Sequence, residues 1–168
     1  RPAICLSWYT GAGKTNVFIE MCSRLIAKNP NVRIGISAYL TKEIKAQIFE
    51  RLKEFGLRDK TQVIEPDGPR AIIKNIVVFN PQGIYQRSLD VTFDYLIIDE
   101  SHVGMFEYCR MLKKIREKNC TKDTRLLLVS ATPWDTLALK EFKDSLVLKR
   151  PLDQGQKDGL ITDFKFYA

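Results

Sequence analysis

Five short apolar runs dominate this chain: Ala3–Trp8 (AICLSW), Val32–Ser37 (VRIGIS), Asn75–Asn80 (NIVVFN), Tyr95–Asp99 (YLIID) and Arg125–Ser130 (RLLLVS). Each is strand-sized and almost continuously hydrophobic, which is the pattern of strands covered on both faces in a parallel sheet. Between them, Thr15–Lys28, Thr41–Phe55 and Phe106–Lys118 have the length of helices. In the second of these, Ile44, Ile48, Leu52 and Phe55 recur at helical spacing, Thr41 stands where an N-cap belongs, and Gly56 where the helix should stop. Strands alternating with helices predict an α/β fold: an open, mostly parallel sheet with helices on both faces, joined by right-handed crossovers. Ligands of such sheets gather at the carboxyl ends of the strands. The loop after Trp8, together with Ser37, Asn80, Asp99 and Ser130, should therefore share one rim.

The bulk properties narrow the class. A length of 168 residues suits one domain, and 45% hydrophobic with 28% charged residues suits a globular protein with a core. No apolar run is long enough to span a bilayer, so no membrane partner is expected. The first residues run straight into a glycine loop and offer no signal-peptide cleavage site. Four cysteines at irregular spacing and a single histidine make a zinc site a poor reading. Reduced, mostly buried thiols in a cytoplasmic or nuclear setting are expected instead. The formal charge of +7 favours a polyanionic partner. The segment Glu65–Arg70 (EPDGPR) reads as a turn, and the charge run Met111–Lys118 as a solvated helix face.

The rim carries two chemical motifs. The first is WYTGAGKT, Trp8–Thr15, which has the form of a phosphate-binding loop except that Trp8 stands at the first glycine position. Glycines in such a loop let backbone N–H groups converge, and the helix that follows directs its positive end at the phosphates. Thr10, Gly11, Ala12, Gly13, Lys14 and Thr15 would form the cradle. Lys14 would reach the β and γ phosphates, and the Thr15 hydroxyl would bind Mg²⁺. The bland alternative is a glycine turn with an exposed lysine. The second motif, YLIIDESH, ends a hydrophobic strand in Asp99 and Glu100. There Asp99 would hold Mg²⁺, and Glu100 would polarise water for attack on a γ-phosphorus. Two carboxylates at a strand tip beside a Gly-Lys-Thr loop are much harder to dismiss than either feature alone.

TGAGKT (Thr10–Thr15), DESH (Asp99–His102) and SATP (Ser130–Pro133) resemble motifs I, II and III of superfamily-two helicases and translocases, in order and spacing. His102 makes the match closer to the DExH type than to the DEAD-box type. The resemblance implies a RecA-like P-loop NTPase domain using ATP and Mg²⁺, with DNA as partner more than RNA. It implies that His102 couples the nucleotide site to motif III through Ser130 and Thr132. Ile36–Gln47, containing Ser37 and Tyr39, resembles motif Ia, which touches the nucleic-acid backbone. Asn80 and Gln82 occupy the place of another strand-contacting element, although a threonine is more usual there. For each of these segments a helix cap or polar loop is the plainer alternative.

Family members work with two RecA-like domains, the second supplying motifs IV to VI and arginine fingers. None of those motifs matches here. Residues 1–149 are therefore expected to be the first motor domain, and 150–168 a polar connector toward a second one missing from this chain. The element that recognises adenine, found before the first strand in many relatives, has no counterpart either. Trp8, Tyr9 and Tyr39 lie near the expected rim, for stacking or for packing, and Trp134 near the expected domain interface. The leading reading is an ATP-dependent helicase or translocase domain. A nucleotide-gated nucleic-acid-binding module without turnover, an RNA helicase, and a P-loop switch unconnected with nucleic acid are the alternatives.

Overall fold

The computed structural model describes residues 2–38, 42–64, 71–80, 91–101, 114–133, 137 and 142–159. Thr41, Tyr39, Gln82, His102, Cys109, Trp134 and the Glu65–Arg70 turn lie outside the described residues.

The strands are β1 (Ile4–Trp8), β2 (Ile34–Ala38), β3 (Thr61–Val63), β4 (Ile76–Phe79), β5 (Phe93–Asp99), β6 (Cys120–Ser130) and β7 (Leu146–Arg150). They form one seven-stranded sheet in the order β3-β4-β2-β5-β6-β1-β7. Every pairing is parallel. The helices are α1 (Lys14–Lys28), α2 (Lys42–Glu54), α3 (114–119) and α4 (Leu152–Lys157).

The two-sided core explains the continuous apolar runs. Alternate strand residues face opposite sides of a sheet. Leu6, Ile34, Ile36, Ile76, Val78, Ile97 and Val129 pack with Phe18, Ile19 and Cys22 of α1 and with Ile48 and Leu52 of α2. Their neighbours Cys5, Val77, Phe79, Leu96, Ile98 and Leu128 face the other way, against Ile115 of α3 and Phe142. A fully buried Ile, Leu or Phe side chain contributes roughly 1.5–3 kcal/mol, so both layers are needed to hold the sheet. The end of α2 follows the sequence expectation. Gly56 adopts a left-handed φ of 70°, its amide donates to Lys53, and the Leu57 amide reaches back to Leu52. Leu52 and Leu57 are both buried, completing a glycine stop with its apolar contact.

Three features depart from the sequence reading. β3 and β7 are additional strands at the two edges of the sheet. β6 begins five residues before the apolar run, and its polar start is tied to β5 by a hydrogen bond from Thr124 Oγ1 to the Phe93 carbonyl at 2.6 Å. Residues 151–158 were expected as a loose polar connector. Instead Leu152–Lys157 is helical, and Arg150 and Asp158 join in an ion pair at 2.8 Å.

Removing Phe18, which is fully buried on the sheet-facing side of α1, tests the two-layer account. Phe18→Ala should lower stability by about 3–5 kcal/mol. Ile73→Ala, at a position 73% exposed, should change it by less than about 0.5 kcal/mol. Urea denaturation followed by far-ultraviolet circular dichroism distinguishes the two.

Candidate functional site

The loop after β1 is built from two glycines in the left-handed region, Gly11 at φ 84° and Gly13 at φ 80°. That conformation is costly for any residue with a Cβ. The loop closes on a hydrogen bond from the Ala12 amide to the Tyr9 carbonyl at 3.2 Å. Gly13 caps α1 with no side-chain hydrogen bond, and the first turn holds no acidic residue. The helix begins its own bonding at Val17, whose amide donates to the Gly13 carbonyl. The first-turn amides of α1 and the positive end of its dipole are thus left for an anionic group.

Lys14 is 9% exposed. Its ammonium donates to the carbonyls of Trp8 and Tyr9, each at 3.0 Å. Both of these acceptors are neutral backbone carbonyls. The ammonium remains ready for a stronger acceptor.

Asp99 ends β5 and is 7% exposed. Burial, and then the negative charge of Glu100, push its carboxyl up to about 6, against a smaller downward pull from the Glu100 amide and from Lys14. The Glu100 amide donates to Asp99 Oδ1 at 3.0 Å. Glu100 itself has φ 49°, the only described non-glycine residue with positive φ. The Ser101 amide, bonded to the Val129 carbonyl at 3.0 Å, holds the chain through this sharp turn. Backbone strain of this sort gathers where a side chain must point in one direction.

These two tips line a single cleft of about 660 Å³. Thr10, Gly11, Gly13, Lys14, Thr15, Asp99 and Glu100 face it, and a wall of α2 that includes Gln47, Arg51 and Glu54 closes one side. The donor set suits a magnesium-bound polyphosphate: converging amides and one ammonium for phosphate oxygens, a hydroxyl and a carboxylate for a hard cation.

The remaining expected residues divide. Ser130 is fully buried at the end of β6, where its Oγ accepts the Thr132 amide at 3.0 Å. That bond shapes the turn after the strand and leaves Thr132 exposed. Asn80 follows β4 on the same rim, half-buried. Ser37, expected on the same rim, is fully buried within β2. Tyr39, Gln82 and His102 lie outside the described residues.

Two parts of the site escaped the sequence reading. The α2 wall of the cleft has no signal beyond a helix with charges. The contact of Arg150 with Trp8, 5.5 Å from guanidinium carbon to ring centre, comes from β7, which the pattern did not reveal. Cys5 and Cys22 are free, their thiols pushed by burial up to about 11 and about 12. No helix among the described residues is long and apolar enough to cross a membrane.

A glycine loop opening a helix beside a buried strand-tip aspartate, in a parallel sheet of this order, defines a RecA-like motor domain of the superfamily-two helicase and ATPase class. The chain belongs to the family described as type III restriction enzyme, res subunit, whose model matches residues 1–135. No curated protein matches it in sequence. Among solved structures it is similar to a DEAD box protein from Methanococcus jannaschii, with 26% identity and TM-score 0.68 over 88% of this chain and 45% of that one. It is similar also to the Sulfolobus solfataricus SWI2/SNF2 ATPase core in complex with dsDNA, with 19% identity and TM-score 0.65 over 79% of this chain and 28% of that one. A third is S. cerevisiae Dbp5 bound to RNA and ADP BeF3, with 23% identity and TM-score 0.69 over 92% of this chain and 43% of that one. The chain thus spans less than half the length of each of these three.

Asp99 yields a prediction with a definite sign. Its carboxyl titrates near 6 in the folded chain against an ordinary value of 3.8. Between those values the unfolded chain has released a proton that the folded chain still holds, so stability falls as pH rises through this window. The difference amounts to roughly 3 kcal/mol and stays constant above it. Asp99→Asn abolishes the step. Urea midpoints should therefore show the variant gaining about 2.5 kcal/mol on the wild type between pH 4 and pH 7. Parallel pH profiles for the two proteins would contradict the burial of this charge.

Proposed function

We propose that this chain is the first motor domain of an ATP-dependent helicase or translocase acting on nucleic acid, with DNA the favoured substrate. The observation that carries the proposal is the meeting of Lys14 and Asp99 at one cleft. Membership of the restriction-subunit family, the DESH and SATP motifs and the net charge of +7 support a nucleic-acid partner. The similarity to an ATPase core bound to dsDNA is compatible with DNA, and the one to an RNA-bound protein keeps an RNA substrate as the alternative outcome.

The protein's own groups would work as follows. Lys14 exchanges the Trp8 and Tyr9 carbonyls for β- and γ-phosphate oxygens, while the loop amides and the uncapped end of α1 bind the same polyphosphate. Thr15 and Asp99 would hold Mg²⁺, which when bound neutralises charge on the phosphates and draws electrons from the reacting phosphorus. Asp99 would hold the ion in its ionised, carboxylate form. Glu100, fixed by its strained backbone, orients and deprotonates a water for in-line attack. The turn held by Ser130 and Thr132, with His102, would relay the occupancy of the site to bound nucleic acid. A second RecA-like domain supplying arginine fingers would complete the transition-state environment, so this chain alone should bind nucleotide and turn it over slowly.

Two substitutions separate binding from turnover. Lys14→Ala should abolish nucleic-acid-stimulated ATP hydrolysis and weaken Mg-ATP binding at least tenfold. Glu100→Gln should bind Mg-ATP within about threefold of wild type yet hydrolyse it at least 100-fold more slowly, as expected for loss of a general base. Phosphate release with and without DNA or RNA provides the readout. Wild-type turnover in Lys14→Ala would refute the assignment of the loop. Salt-sensitive strand binding without stimulated hydrolysis, even in a chain containing both motor domains, would favour a nucleotide-gated binding module.

A further inference from the structure

The backbone that receives Lys14 is itself gripped from outside the loop. β1 and β7 are parallel neighbours in which Trp8 stands opposite Arg150. The Tyr9 amide donates to the Arg150 carbonyl at 3.4 Å. The Arg150 guanidinium lies over the Trp8 ring at 5.5 Å, and Asp158 holds it there through an ion pair at 2.8 Å. Gln154 donates to the second oxygen of that carboxylate, also at 2.8 Å. Arg150, Gln154, Asp158 and Trp8 thus form one connected cluster.

Tyr9 is pinned a second way. Its ring lies directly on the backbone of α4, so that a Cβ added at Gly155 would stand 2.3 Å from the ring carbon Cζ and 2.4 Å from the hydroxyl oxygen. At such distances a side chain at 155 requires the Tyr9 ring to move. Gly155 has an ordinary helical backbone and is buried, so glycine is required here for room, not for φ. The Tyr9 hydroxyl is buried with no hydrogen-bond partner among the described residues. A buried hydroxyl without a partner is unfavourable, and packing of the ring on α4 keeps it in place.

The Tyr9 carbonyl does two things for the loop: it accepts Lys14 and it accepts the Ala12 amide that closes the turn. We propose that Tyr9, Arg150 and Gly155 are positioning residues of the nucleotide site, through which the segment Arg150–Asp158 sets the phosphate loop. Nucleotide binding draws Lys14 off the Trp8 and Tyr9 carbonyls and so alters the same backbone that carries the Arg150 and α4 contacts. The chain leaving the domain after β7 is thereby mechanically linked to the occupancy of the loop. This inference rests on the nucleotide reading proposed above.

The test uses binding of a fluorescent, non-hydrolysable ATP analogue with Mg²⁺, together with Trp8 emission in a Trp134→Phe background, where Trp8 is the sole tryptophan because the chain has two. Gly155→Ala should weaken binding at least tenfold, and adding Tyr9→Leu, which vacates the space, should recover part of that loss, though less than wild-type affinity because the Tyr9 packing is gone. Arg150→Met should weaken binding at least threefold without moving the urea midpoint of the nucleotide-free protein, a split that loss of fold would not produce. Arg150→Lys should recover part of the loss. Analogue binding should shift Trp8 emission in the wild-type pocket and fail to do so in Arg150→Met. Should Gly155→Ala prove unable to fold, Arg150→Met and Asp158→Asn carry the same test. Wild-type affinity in Gly155→Ala and Arg150→Met, with Trp8 emission unmoved by the analogue, would overturn the inference. So would a Gly155→Ala defect that Tyr9→Leu leaves unrepaired. Lys14→Ala is the control that separates the two levels. If it abolishes binding while the other variants bind normally, only the positioning role fails; if it binds like wild type, the nucleotide reading fails as well.

Discussion

A parallel sheet buried on both faces leaves polar chemistry nowhere to go but the strand ends. Leu6, Ile36, Ile97 and Val129 fill one layer and Cys5, Leu96, Ile98 and Leu128 the other, so the central strands carry no polar function along their length. Ser37 illustrates the constraint: one residue short of the end of β2, it is already sealed in the core. Asp99, the last residue of β5, and Lys14, six residues past the end of β1 and the first of α1, both line the cleft. Everything inferred about function depends on this geometry.

At that rim the electrostatics are deliberately incomplete. The Lys14 ammonium rests on two carbonyls, and Asp99 is an acid raised to about 6 by burial and by Glu100, against a smaller pull from Lys14. Neither is in its lowest-energy setting. A cation such as Mg²⁺ would restore the aspartate to its ionised form, and phosphate oxygens would give the ammonium full-charge partners. Charged groups fixed in place before a ligand binds need little reorganisation to receive it, which is how pre-organised sites operate. The positive φ of Glu100 belongs with this: the turn costs about 1 kcal/mol and fixes the direction of the neighbouring carboxylate.

Much of this architecture was legible in the residues because its cause is local or periodic. Five strands announced themselves through unbroken apolar runs, α2 through its spacing and Gly56, and the cleft through GAGKT and DE at strand tips. What escaped had no such signal. β3 (TQV) is three residues long, two of them polar. β7 (LVLKR) is an edge strand whose Leu146 and Leu148 stay exposed, so its pattern fits neither a buried run nor a clean alternation. α4 is a short helix with a glycine inside it, and helix propensity argues against it. Its reason is tertiary, since Gly155 exists to admit the Tyr9 ring. Long-range contacts of this kind, like the Arg150–Trp8 pair, cannot be read from a single sequence. They explain why a stretch resembling a loose connector is packed against the phosphate loop.

The central claim is that the Gly11–Thr15 loop and Asp99 hold one metal-bound polyphosphate between them. A crystal structure with a non-hydrolysable ATP analogue and Mn²⁺ in place of Mg²⁺ tests this most directly, because anomalous scattering locates the metal independently of the nucleotide. The account predicts a manganese peak between the Thr15 hydroxyl and the Asp99 carboxylate, with the Lys14 ammonium moved from the Trp8 and Tyr9 carbonyls onto phosphate oxygens. A nucleotide bound elsewhere, with Lys14 still on those carbonyls and no metal beside Asp99, would contradict it.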